Sequence, residues 1–416
     1  MNNYMEKEMK KILFMRSYFF PEIAASNQMC LEFIMELAKS GYEITILCPT
    51  PSRGLTIEQY NEYKKKKIER LAEKVVIKRF WLPKESKNIL LRGIRYIIQN
   101  IYQFFYGLTH SYDLLFLYST PPTNGLIGSL LRYLKKKPFV YYLHDIFPDS
   151  MLKIGIIKNK GFIWKIGRSL ENFSYKYSNK IITLSNKMAE NIKNKGVNYK
   201  KIEIVYNWID PNNIKYIDRE NNSLIKDFKI DPQKFIVTYA GNIGEAQSIE
   251  TLIKAAKLIE NDKEIFFVII GNGTNEKKCK EMSKDLENII FIPMQKKEKV
   301  SEVYSLGDIS TIFCKKGFGD AGMPSKLGSI LATNRIVLAS FDKNSDLADL
   351  LNKEKVGICV EAENEIEIVK AIYEIKNNQQ YQEIMKKNAK EFLEKNMTLE
   401  KCSKKLIKII EKTIEG

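Results

Sequence analysis

Lys11-Ile-Leu-Phe-Met15 is a short apolar run, and after a proline-containing loop and a helix-spaced segment comes a second such run, Glu43–Cys48. A strand, a helix and a strand in that order form two parallel strands joined by a right-handed crossover. In the segment between them Met29, Phe33, Leu37 and Ala38 recur at helical spacing, with Ser26 or Asn27 placed to cap the helix and Gly41 to end it. Further buried-strand runs follow at Val75–Ile77, Leu114–Tyr118, Phe139–Leu143 and Lys180–Leu184, with helical segments between them. The pattern predicts a doubly wound α/β domain.

Ile202–Tyr206 reads as a strand leaving that domain toward Asn207-Trp208-Ile209-Asp210-Pro211, and a second set of elements starts after the polar stretch Arg219–Asp227. Its strands are Phe235–Tyr239, Ile265–Ile270, Ile289–Ile292, Ile309–Phe313, Ile336–Ala339 and Gly357–Val360, and the tail from Glu365 reads as almost all helical. A chain of 416 residues is too long for one ordinary core and fits two domains. We expect one domain at 1–205, a second at 206–390, and a terminal helix at 391–416 that packs back on the first. Two doubly wound domains joined by a short linker leave a cleft between the carboxyl ends of their sheets, where such folds bind ligands.

Charge is spread unevenly. The net charge is +17, and residues 1–184 carry 29 Lys and Arg against 15 Asp and Glu, so nearly all the excess lies in the first half. A chain rich in Lys, Ile and Asn gains lysines through codon bias, but bias would load both halves alike. A basic half attracts anionic membranes or nucleic acid through long-range fields. Leu90–Leu108 (LLRGIRYIIQNIYQFFYGL) is apolar and aromatic, and reads either as a helix covering the sheet or as one lying in a membrane interface. The six cysteines are scattered without a close pair, as for buried free thiols in a reducing compartment. The N-terminal MNNYMEKEMKK is not a secretion signal, and we expect a cytoplasmic protein.

Glycine-rich loops follow three strands of the second domain. They are Gly241-Asn242-Ile-Gly244-Glu245, Gly271-Asn-Gly273, and the stretch Gly317–Ser325 leading through Met323-Pro324-Ser325-Lys326-Leu327 into a short helix. Glycine permits close backbone approach, and a helix N-terminus beside a lysine suits a phosphate-bearing ligand. In the first domain His144 and Asp145 follow an apolar strand directly, a pair able to position or deprotonate a hydroxyl. Catalytic serine signatures, a P-loop and zinc spacings are all absent.

With these motifs in order along nearly the whole chain, the sequence resembles the retaining nucleotide-sugar glycosyltransferases of family 4. The likeness is to the bacterial colanic-acid, O-antigen and capsule branch, with fucosamine-transferase-like members. It rests on Phe20-Pro21-Glu22, His144-Asp145-Ile-Phe-Pro148, Tyr206-Asn207-Trp208-Ile209-Asp210, Gly241-Asn242-Ile243-Gly244-Glu245 and Met323-Pro324-Ser325-Lys326-Leu327. The resemblance implies a GT-B fold of two Rossmann-like domains facing each other across a cleft, the first binding the acceptor and the second the nucleotide sugar. It implies no cofactor and no required metal. By position, Gly241, Asn242, Gly244, Glu245, Gly271, Gly273, Met294, Met323, Pro324, Ser325, Lys326 and Leu327 would form the donor site. Ala24, Ala25 and Asn27 would lie on the acceptor side, and His144, Asp145 and Lys326 would be catalytic. Two departures stand out. Many relatives carry a glutamate pair across the 321–329 region, where this chain has Ala321 and Ser329, with Asp320 the nearest acid. Ala246 occupies the place of their usual basic residue.

The resemblance thus implies transfer of a sugar, with retained configuration, from a UDP-sugar to a lipid-linked saccharide in surface polysaccharide synthesis. The enzyme would work at the inner face of the cytoplasmic membrane as a peripheral protein, held to anionic lipid through its basic first domain. Two alternatives are a non-hydrolysing UDP-sugar epimerase, disfavoured by the presence of only His110 and His144, and a non-catalytic basic membrane-surface binding protein. No compact aromatic-basic motif points to nucleic acid.

Overall fold

The structure, a computed structural model, describes residues 9–22, 25–86, 88–153, 157–159, 161–319 and 323–416. The chain divides into two compact units, one running to Val205 and taking up Ser403–Gly416 again, the other Tyr206–Cys402. The second unit therefore extends past the expected limit at 390. The reason is the helix Gln379–Asn396, whose Phe392 and Leu393 are part of that unit's core. Ile209 is pinned there too, its N–H donating to the Met397 carbonyl and its own carbonyl accepting from Leu399.

In the first unit the strands are β1 (Lys11–Met15), β2 (Glu43–Pro49), β3 (Ile68–Ala72), β4 (Val75–Phe80), β5 (Leu114–Tyr118), β6 (Phe139–Tyr142), β7 (Lys180–Thr183) and β8 (Ile202–Ile204). They form one sheet in the order β3-β4-β2-β1-β5-β6-β7-β8. All neighbours are parallel except β3 and β4. Continuous apolar runs such as Leu114–Tyr118 are buried on both faces, as parallel strands covered by helices must be. β8 is the edge strand of this sheet, paired to β7, and the chain leaves the first unit directly after it. β3 escaped the sequence reading because its side chains (IERLA) are at most half-buried on an antiparallel edge, where no apolar run is required. The first helix starts at Ala25, so neither Ser26 nor Asn27 caps it.

The second unit holds β9 (Phe235–Asn242), β10 (Ile265–Asn272), β11 (Ile289–Ile292), β12 (Ile309–Phe313), β13 (Ile336–Phe341) and β14 (Gly357–Glu361). These run parallel in the order β11-β10-β9-β12-β13-β14. Alternate residues of β9 feed the cores on its two faces. Val237 and Tyr239 pack with the helices Glu250–Leu258 and Glu365–Lys376, whereas Ile236 and Ala240 pack with Val303 and Leu306.

Candidate functional site

In each sheet the connections reverse direction at one place, and the carboxyl ends of the strands flanking it form the ligand crevice of an open α/β fold. In the second unit that place is between β9 and β12. β9 does not stop before its glycine motif but runs through Gly241 and Asn242, which pair in register with Gly271 and Asn272 of β10. The glycines serve different ends. A Cβ on Gly271 would lie 1.8 Å from the Gly241 carbonyl oxygen, and one on Gly273 would lie 2.3 Å from that of Ile243. Those two glycines are demanded by the neighbouring backbone. A Cβ on Gly241 would instead meet Lys326 Nζ at 3.0 Å, and Gly241 sits at φ +146°.

Lys326 opens the helix Lys326–Ala332, which follows β12. Its Nζ stands 4.0 Å from the centre of the Tyr239 ring. Tyr239 is held in turn by its hydroxyl, which donates to the Asn242 carbonyl at 2.6 Å. Among the described residues no carboxylate pairs with this ammonium. Burial lowers its pKa to about 7, because a desolvated charge without a counter-ion is costly. The residue as a whole is half-buried. Sequence reasoning found Lys326 but missed Tyr239, whose signal is the aromatic two residues ahead of Gly241.

Around this core the remaining residues sort themselves. Asn242 donates through Nδ2 to Gln247 Oε1 at 3.0 Å, closing the loop, and a Cβ on Gly244 would displace that clamp, meeting Asn242 Nδ2 at 2.6 Å. Glu245 is exposed and ion-paired with Lys315 at 2.9 Å. The Lys315 N–H also donates to Ala246, which puts a lysine beside the position that lacks the usual base. Met294 lies exposed in the loop after β11, Ser325 is exposed and Pro324 half-buried. Met323 and Leu327 are core residues packed with Ile330, Leu331 and Val337, so their side chains face the interior. Ser329 is buried, so a side chain there faces the interior; Asp320 and Ala321 lie outside the described residues. A cavity of about 460 Å³ adjoins the Glu245 loop, but Lys326, Gly241 and Gly271 are not among its lining residues.

In the first unit the reversal lies at β1, between β2 and β5. Beyond β1 the Arg16 guanidinium is buried, lies 4.0 Å over the Tyr118 ring and donates to Asn27 Oδ1 at 2.8 Å. Asn27 donates to the Glu22 carbonyl at 2.8 Å. The Glu22 carboxylate accepts from the backbone N–H groups of Phe19, Ser52 and Arg53. Asn27 and the Phe20-Pro21-Glu22 motif thus brace the loops around β1 and β2. The Asn27 side chain is engaged in that bracing. Ala24 lies outside the described residues, and Ala25 only starts the helix.

The backbone N–H groups of His144 and Asp145 both donate to Ser119 Oγ, at 3.0 and 3.3 Å, tying the ends of β5 and β6 together. The imidazole is edge-on to Tyr118 and Tyr142, with Nε2 buried and unpartnered. Burial, and then the Arg16 charge, push its pKa down to about 3. A ring this hard to protonate is a weak base, so His144 suits hydrogen bonding to a hydroxyl and not its deprotonation. Asp145 is exposed beside it. His110 is exposed at the end of the helix Ile89–Thr109, stacked on Tyr106. The two histidines are therefore not assembled as an acid–base pair.

Two doubly wound α/β units, each with its loops gathered at the carboxyl ends of the strands, have the architecture of a GT-B glycosyltransferase. Residues 26–213 match the family described as Glycosyltransferase Family 4, and residues 220–392 match Glycosyl transferases group 1. Together they span most of the chain, which belongs to the family 4 glycosyltransferases. It is similar to the colanic acid biosynthesis glycosyl transferase WcaI of Escherichia coli K12, 24% identical over 369 residues, with 85% of this chain and 89% of that one covered. The glycosyltransferase WbjE of Pseudomonas aeruginosa is 24% identical over 291 residues, covering 67% and 70%. Among solved structures, the Anabaena protein HepE in complex with UDP superposes with a TM-score of 0.71 at 12% identity, covering 97% of this chain and 100% of that one.

Proposed function

We propose that the chain transfers a sugar from a UDP-sugar to a lipid-linked saccharide in surface-polysaccharide synthesis, with retention of configuration and without a required metal. The observation that carries this reading is the Lys326 ammonium, unpaired by any carboxylate among the described residues, between Tyr239 and Gly241 at the carboxyl ends of β9 and β12. A diphosphate leaving group supplies the missing counter-charge there, and a preorganised cation in a desolvated site stabilises developing charge far better than one in water. HepE, of the same fold, is described in complex with UDP, and WcaI is described as acting in colanic acid biosynthesis. Both support the choice of donor and process. On this reading His144 and Asp145 align the acceptor hydroxyl, and the chain works as a peripheral protein on the cytoplasmic face of the membrane.

Turnover tests it. Purified protein is incubated with UDP-sugars and lipid-linked saccharides, with and without a chelator, while UDP release and the anomeric configuration of the product are measured. The expected result is chelator-insensitive, acceptor-dependent release of UDP with a retained anomer. Lys326→Ala should slow it by about 100-fold or more. An inverted anomer, or a Lys326→Ala variant as fast as the parent, would contradict the reading.

A further inference from the structure

The helix Ile89–Thr109 is built inside out. Its buried side chains include Arg95, Gln99, Asn100 and Gln103, while Leu90, Ile94, Ile97, Ile98, Ile101 and Phe105 are between 42% and 74% exposed. At the helical increment the six apolar residues fall within an arc of about 100°, and the buried polar ones lie on the opposite side. A helix that merely covers the sheet would show the reverse. The polar face has its own task, since Gln99 Nε2 donates to Ser17 Oγ at 2.6 Å and Gln103 Nε2 to the Arg16 carbonyl at 3.2 Å. That face carries the loop at the carboxyl end of β1.

We propose that this apolar stripe seats the first unit on an anionic lipid bilayer, holding the β1 loop close to the membrane surface. The inference deepens the lipid-linked part of the proposed function and rests on it for that link alone. Charge selects the occupant. From Ser86 to Tyr112 the chain contains no acidic residue, and the half of the chain around it is strongly basic. Lys135, at the end of the adjacent helix Asn124–Lys135, donates to the carbonyls of Gly107 and His110 at the C-terminal end of this helix. Exposed Tyr133 and Leu134 precede it and widen the apolar surface. An apolar face on a stretch without acidic residues, in a strongly basic half of the chain, fits anionic headgroups above acyl chains. A second copy, carrying the same excess positive charge, is repelled. No helix among the described residues is long and apolar enough to cross a membrane, so this one lies in the interface.

The test is flotation of the full chain with phosphatidylcholine vesicles, with and without about a third phosphatidylglycerol, alongside light scattering and a UDP thermal-shift measurement on the same samples. Binding to the anionic vesicles should exceed that to neutral ones at least tenfold and weaken with salt. The double variant Ile94→Glu/Ile101→Glu should lose at least tenfold of it. Ile366→Glu/Ile384→Glu, placed at exposed apolar positions of the second unit, should float like the parent. Equal flotation of the stripe variant overturns the inference, and so does a parent that stays off vesicles, or forms a dimer that the stripe variant dissociates. In those cases a retained UDP shift leaves the donor reading standing; loss of the UDP shift with intact flotation removes the donor reading alone.

Discussion

Lys326 makes nucleotide binding dependent on pH in a way that one substitution abolishes. Burial over Tyr239 sets its pKa to about 7, and only the protonated form meets a diphosphate as an ion pair. Binding raises the ammonium's pKa back toward its usual range, so nucleotide and proton bind together. The free protein is about half protonated at pH 7 and about one-hundredth protonated at pH 9, and apparent affinity scales with the competent fraction. Because the deprotonated form keeps the weaker affinity of an uncharged side chain, affinity for UDP should fall by about 5- to 25-fold between those values of pH. Calorimetry in two buffers of different ionisation enthalpy should show uptake of about half a proton at pH 7, passing through a maximum near about pH 8 and falling above it. Lys326→Met should remove the proton uptake and flatten the profile, leaving only the titration of UDP itself. Its affinity below pH 7 should drop by about 10- to 100-fold, the worth of a hydrogen bond to a charged group. A parent profile that matches the Lys326→Met profile would refute the reasoning.

Three further outcomes follow from the geometry. Gly271→Ala drives a Cβ into the Gly241 carbonyl and should cost about 3 kcal/mol or more in denaturant unfolding of the second unit, whereas Gly93→Ala, a helical position with nothing within 4 Å, should be neutral or stabilising by up to about 1 kcal/mol. His144 should remain neutral from about pH 5 to about pH 8 in ring-nitrogen NMR spectra, since its pKa is held near 3 by burial and Arg16; a titration in that range would overturn its assignment as a hydrogen-bonding group. Asn27→Ala strips the buried Arg16 guanidinium of an acceptor and should cost about 1–3 kcal/mol in stability.

The strands were legible because buried parallel strands need unbroken apolar runs, and β1, β5, β11 and β12 begin and end where their runs do. β3 was not, because an edge strand pairs through its backbone and leaves IERLA free to be polar. The glycines were visible, but their separate uses were not. Gly271 answers a neighbouring strand and Gly241 answers a lysine 85 positions along the chain, and spacing holds no record of either contact. Met323 and Leu327 stand beside Lys326 in sequence and point into the core, since adjacent residues at a helix start diverge in direction. The sequence showed Leu90–Leu108 as apolar and aromatic and left open a helix covering the sheet or one in a membrane interface. Which face turns inward depended on Ser17 and Arg16, far away in the chain.

The most direct measurement is a crystal structure of the chain soaked with UDP. The account predicts diphosphate oxygens within about 3.2 Å of Lys326 Nζ, at the ends of β9 and β12. A nucleotide bound elsewhere, or a Lys326 side chain turned away from it, would contradict the account.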